Sequence, residues 1–383
     1  MPVPALDPAV RATLRAVACH GLTAEGEEVA LRPLDDGQWR SLVAAIRAER
    51  LAGLLDRAVA DGAVPASPSQ ADDAEEVAAA YLHGVLRVER SLVDVAACLG
   101  RDGVPFLVLK GPAVAHLDEP DPAVRHYVDL DLLVRGDMLP PALASLATMG
   151  YGRDLPERRA GFDRRFGKEV SLVADRRLEL DLHRTLALGS FGLRLDLGAF
   201  WESTASFGLA GIELTALDAE GRFVHACVNA MLGDARPRLV ALRDVVRIST
   251  THRLRPERLR RVAPAGGGAA VVAAAARACL STLGVPVGEE AAAFVAATVP
   301  SRWERVALRA YRSQGGSNTL ELLSGALGVT GADRARYLRA LLAPDAAYVA
   351  ARRSTGRPPE WGTGLREVVR RRRPVRTVEG RGD

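Results

Sequence analysis

Two aspartates, Asp129 and Asp131, stand two residues apart in the apolar run YVDLDLLV (127–134). Successive side chains of a strand alternate between faces, so both carboxylates project to one side. Set among Val and Leu, they repel each other and lose hydration. A hard divalent cation such as Mg2+ removes that cost, because it binds one or two carboxylates together with substrate phosphates. A third carboxylate, Asp181, lies in RLELDLHRTL (177–186), with Glu179 and His183 on its face. A carboxylate pair on one strand and a single carboxylate on a neighbour can hold two cations about 3.5–4 Å apart at a phosphoryl-transfer centre. The alternative is a solvated sheet edge carrying the Asp129–Asp131 pair.

Upstream, VPFLVLKG (104–111) reads as a short buried strand that ends in Gly. PAVAHL (112–117) follows, with Pro112 at a plausible first helical position. Gly111 at this strand-to-helix turn lets backbone approach a ligand, and the helix N-terminus is an anion site. Lys110 is placed to neutralise a triphosphate oxygen. Neither GxxxxGK[ST] nor a strand-linked GxGxxG is present, which excludes a P-loop and disfavours a dinucleotide fold. Only Lys110 and Lys168 are lysines among the 51 basic residues. A GC-rich coding bias explains the arginines. A lysine that survives it marks a place where a compact point charge is not replaced by a planar fork.

The elements around these residues give an α+β chain. Residues 1–100 carry helical periodicity, as in WRSLVAAIRAERLAGLLDRAVAD (39–61). The texture changes at Arg101. Strands are expected at 104–111, 127–134, 168–174 and 177–186, the last two as a possible hairpin, with a helix at 139–150. Helices return from about 216 to 350. The tail 351–383 holds ten Arg against four acidic residues, a charge of +6 that leaves −2 for the rest of the chain, and reads as a disordered, solubilising basic end. The expected organisation is an N-terminal helical region (1–100), a core (101–215), a C-terminal helical domain (216–350) and the tail.

In combination, these motifs resemble a family of uncharacterised bacterial nucleotidyltransferases within the DNA-polymerase-beta-like superfamily. The residues that carry the resemblance are Leu109-Lys110-Gly111, Asp121-Pro122, Arg125, Asp129-Leu130-Asp131 and Asp181-Leu182-His183, and it covers most of 35–250. It implies a small mixed-sheet nucleotidyltransferase core between helical flanks. It also implies Mg2+-dependent transfer of a nucleoside monophosphate, AMP from ATP, with release of pyrophosphate. Asp129, Asp131 and Asp181 are then the metal ligands. Lys110, Gly111, Arg125 and Lys168 face the phosphates, although a loop position for Arg125 and a strand-edge position for Lys168 are the plain alternatives. His183 is a base, an orienting partner of Asp181 or a structural hydrogen bonder. Arg243 and Asp244 read as ion-pair residues. The chain departs from the pattern in three places. Lys-Gly stands where the superfamily has Gly-Ser, Arg184 stands where an aromatic often follows Asp-Leu-His, and no second His lies near Asn229 to accompany His225.

Composition narrows the rest. With 48% apolar and 26% charged residues the chain can build sizeable cores. No apolar run approaches the ~18 residues of a membrane span. No signal-peptide pattern opens the sequence, and its four scattered cysteines argue against zinc and disulfides, so a cytoplasmic location is expected. Outside the tail the charge is near −2, too little for a large RNA footprint. The acceptor is expected to be a small molecule, a peptide or a protein. A toxin–antitoxin or regulatory enzyme acting on tRNA or protein, and a non-catalytic scaffold, are the competing readings.

Overall fold

The structure, a computed structural model, describes residues 6–22, 31–175, 178–234, 236–312 and 319–354. Most of the basic tail, 355–383, lies outside the described residues. The N-terminal stretch is helical, with helices Pro8–Cys19, Asp36–Glu49, Ala52–Ala60 and Pro68–Arg101. Two of them open with a reciprocal capping box, Asp35 with Gln38 and Ser67 with Gln70, which satisfies donors that the first helical turn leaves unpaired.

Seven described strands form one mixed sheet: β1 (Leu107–Val108), β2 (Leu130–Leu133), β3 (Gly152–Arg153), β4 (Glu169–Val173), β5 (Leu180–His183), β6 (Thr204–Leu209) and β7 (Ile212–Leu217). Their order is β3-β4-β5-β2-β1-β7-β6. β2 and β5 run parallel, as do β1 and β7, and the other neighbours are antiparallel. Each of the four strands expected from sequence contains an observed one, shorter than its apolar run. The run 127–134 joins the ladder only from Leu130. Before it, Tyr127 turns inward to donate its hydroxyl to Glu89 at 2.7 Å, and Val128 is exposed. The expected hairpin forms as β4–β5. The hairpin β6–β7 is not anticipated from sequence. Its turn residues Ala210 and Gly211 both take positive φ, 48° and 81°, the backbone of a tight two-residue connection.

Alternation gives the sheet two unlike faces. Leu130, Leu132, Val170, Leu172, Leu180 and Leu182 pack with Val88 and Leu92 of helix Pro68–Arg101 and with Leu139 and Leu146 of helix Leu139–Ala147. The opposite face carries Glu169, Ser171, Asp181, His183 and Asp131. It is flanked by a larger core in which Leu107, Leu133 and Leu217 meet Ile46, Leu55, Phe223, Leu242 and Val272. Helices from both ends of the chain therefore share one apolar core around the sheet, among them Ala219–Leu232, Leu239–Thr251 and Ala269–Leu283. A smaller cluster of Phe162, Phe166, Tyr337 and Leu341 ties helix Gly331–Leu342 to the segment before β4. No described helix is long and apolar enough to cross a membrane.

Candidate active site

Sheet register assembles the site. Asp131 pairs with Asp181 across the parallel β2–β5 ladder, and Asp181 pairs with Ser171 across β4–β5. In the next row His183 stands opposite Glu169. Partners in register share a face, so carboxylates fifty residues apart in the chain become neighbours. The ligand atoms of Asp131, Asp181 and His183 all lie within 4.8 Å of one another.

Asp131 is the buried centre of this cluster. Its Oδ1 accepts from the Lys110 ammonium at 2.7 Å and from His183 Nε2 at 2.7 Å. Burial alone would raise its carboxyl, but Lys110 and His183 outweigh that and hold it well below the usual carboxylate range. Asp181 goes the other way. Burial raises its carboxyl, the Glu169 charge adds to the rise, and the Ser171 hydroxyl, donating to Oδ1 at 2.7 Å, opposes it. His183 is fully enclosed. Its Nδ1 makes no hydrogen bond, and Glu169 Oε2 lies 3.4 Å away. Burial also works against the Glu169 charge, yet His183 and Lys168 bring its carboxyl below the ordinary value.

Lys110 is held in an unusual backbone conformation. At the turn from β1 into helix Gly111–Asp118 it adopts φ 47° and ψ −125°. A side chain other than Gly at positive φ stores strain unless its surroundings fix it. Here Leu109 N–H donates to the Asp131 carbonyl at 3.0 Å, and the Lys110 carbonyl accepts Val114 N–H at 2.9 Å. Lys168 mirrors Lys110, with its Nζ 2.7 Å from Glu169 Oε2. Both lysines of the chain thus sit on carboxylates of this cluster, and both border a cleft of about 300 Å3. Glu169, Ser171, His225 and Asn229 also line the cleft, and Tyr348 and Arg352 of helix Ala346–Ser354 close its far side.

Several expected site residues take other positions. Asp129 lies just before β2. Its side chain is 45% exposed, 3.6 Å from Arg50, and it is outside the three-residue ligand group. Arg125 is buried, and its guanidinium grips Asp244 at two points, 2.8 and 2.7 Å. That placement gives the Arg125 charge a partner inside the core. Gly111 has a packing reason to be Gly: a Cβ there would come within 2.5 Å of Tyr127 Cβ. His183 bonds Asp131 and not Asp181, so it orients the other carboxylate. Glu179 is exposed ahead of β5. Arg184 is buried and donates through Nε to the Gly167 carbonyl at 2.8 Å.

Glu169 is the residue that sequence reasoning passes over. Its signal is the alternation of KEVSLVA, which puts Glu169 and Ser171 on one face opposite Val170 and Leu172. His225 and Asn229 are one helical turn apart, a spacing that places both on the side of helix Ala219–Leu232 that meets the cleft. Burial, with the nearby Lys110 charge second, pushes His225 well below its ordinary value.

Of the acidic cluster, Glu169 lines the cleft beside the two lysines, and Asp131, Asp181 and His183 lie behind it, outside its lining. Carboxylates next to two ammonium groups are suited to a cation and a polyphosphate. A search of curated proteins returns no match. The model of the family described as uncharacterised nucleotidyltransferase matches residues 35–281, which span the N-terminal capped helices, the strands that hold Asp131, Asp181 and Glu169, and the helix with His225. The chain belongs to that nucleotidyltransferase family and is an enzyme.

Proposed function

We propose that the chain transfers a nucleoside monophosphate, AMP from ATP, to an acceptor hydroxyl or phosphate and releases pyrophosphate. The observation that carries this reading is the facing of Asp131 and Asp181 in one register row, beside a lysine at a helix N-terminus. The two carboxylates of this group, Asp131 and Asp181, fit a hard divalent cation, and His183 stays on Asp131 as its hydrogen-bond donor. Asp131 and Asp181 would hold Mg2+ in this reading, and Asp129, exposed just before β2, is the further carboxylate expected of a two-ion site. Bound Mg2+ neutralises the triphosphate and the departing pyrophosphate.

The chain's own groups do the rest. Lys110 and Lys168 meet phosphate oxygens from the cleft edge. Ser171 and His183 fix Asp181 and Asp131, so little reorganisation is needed when charge develops. Asp181 takes the proton of the acceptor oxygen as that oxygen bonds to the α-phosphorus and the bond to the pyrophosphate oxygen breaks. A cleft of about 300 Å3 is at the small end of ligand sites, which favours a small-molecule acceptor or a single side chain over a folded RNA.

The test is incubation with ATP labelled at the α or at the γ position, Mg2+ and a small-molecule cell extract as acceptor pool. The α label should move to product and the γ label should leave as pyrophosphate. Transfer of the γ label to product contradicts the proposal.

A further inference from the structure

We propose that Lys110 is the resident counter-cation of the acidic cluster and makes cation binding wait for the nucleotide. The inference rests on the metal site proposed above and adds an order of binding to it. Asp131 Oδ1 already accepts two hydrogen bonds, from Lys110 Nζ and from His183 Nε2. The Asp131 side chain is 2% exposed, so water cannot take over either role. A divalent cation arriving alone must displace an ammonium in direct contact and leave it buried beside a double positive charge.

The lysine has one way out. Its backbone is pinned on both sides at φ 47°, so only the four-carbon stem can move. The Lys110 side chain is 23% exposed, and the space next to it is the cleft. The neighbouring cleft carboxylate, Glu169, is already paired with Lys168 at 2.7 Å. A triphosphate in the cleft supplies Lys110 with a new anionic partner, and its departure opens Asp131 to the cation. A lysine suits this exchange better than an arginine, because a point charge on a flexible stem can change partners without a matching fork. That is a physical reason for a lysine here in a chain with 49 arginines among 51 basic residues. Nucleotide and cation then bind with positive coupling, each raising the other's affinity.

The test is Mn2+ binding to the full chain, followed by electron paramagnetic resonance with and without α,β-methylene-ATP. Without nucleotide, Lys110→Met should bind Mn2+ tighter than the wild type by about tenfold or more, and Lys110→Arg should stay as weak as the wild type. Equal affinity of Lys110→Met and wild type overturns the inference and leaves the metal site standing. Mn2+ binding that Asp131→Asn does not change in any background overturns the metal site itself. A measurement on unaltered Lys110 does not depend on the folding of its variants. In a chain labelled at lysine Nζ, with Lys168→Arg to assign the resonances, the Lys110 ammonium signal should shift on adding α,β-methylene-ATP and stay in place in millimolar Mg2+ alone. An equal shift in Mg2+ alone contradicts the proposal.

Discussion

Arg125 and Asp244, 119 positions apart, close on each other in a two-point ion pair with both side chains almost wholly enclosed. The pair joins the loop before β2 to helix Leu239–Thr251, and so ties the strand that carries Asp131 to the C-terminal helices. Removing one partner strands a charge in the interior, which costs about 3–5 kcal/mol, whereas replacing both with apolar residues of similar volume is near neutral. Arg125→Met should therefore lower stability in urea unfolding by that amount, and Arg125→Met with Asp244→Leu should recover most of it. A variant that keeps full stability but shows a raised KM for ATP would restore Arg125 as a phosphate contact.

His126 sets an acid limit on folding. Its Nδ1 accepts the Gly53 N–H at 3.3 Å and its ring stacks on Tyr81. Burial, with the adjacent Arg125 charge second, lowers its value from 6.5 to about 4. Above pH 6.5 the imidazole is neutral in both states and contributes nothing to the pH dependence. Between pH 6.5 and about 4 the unfolded chain takes a proton that the folded chain refuses, so stability falls as pH falls. From pH 7 to pH 5 this amounts to about 2 kcal/mol. Urea unfolding at the two pH values should show that loss in the wild type, and His126→Asn should reduce it by the same amount. An unchanged pH slope in the variant contradicts the assignment.

Gly111 can be separated from ligand binding by a stability measurement. The Cβ of Gly111→Ala would meet Tyr127 Cβ and Cγ at 2.5 Å, in a buried place where Tyr127 is held by Glu89. Overpacking of this kind costs about 1–3 kcal/mol. Thermal unfolding of Gly111→Ala should show a lower midpoint without any nucleotide present. An unchanged midpoint with lost ATP binding would instead assign the glycine to close approach of the ligand.

What sequence reveals of this site follows the range of the physical rule involved. Asp131, Asp181 and His183 are legible because strand alternation acts over two residues and leaves carboxylates conspicuous among Leu and Val. That Asp131 and Asp181 are register partners is not legible, since register is set by packing of the whole sheet. Asp129 fits the alternation, yet the ladder begins one residue later, where Tyr127 has turned inward to Glu89. Arg125 looks like a loop cation because its partner, Asp244, is far along the chain and no local period connects them. The β6–β7 hairpin is missed for want of a Gly-rich turn signal: its first turn residue is Ala210, forced to positive φ. The positions of the helices follow from periodicity and caps, but the sharing of one core by both ends of the chain is a long-range outcome.

In the proposed reaction Asp131 and Asp181 together hold the cation on which nucleotidyl transfer depends. The most direct measurement is the rate of pyrophosphate release from ATP in Mg2+, compared among the wild type, Asp131→Asn and Asp181→Asn, with circular dichroism showing each variant folded. The wild type should release pyrophosphate in a Mg2+-dependent way, and each variant should be slower by about a hundredfold or more. Release at the wild-type rate by a folded Asp181→Asn protein would contradict that role of the two carboxylates.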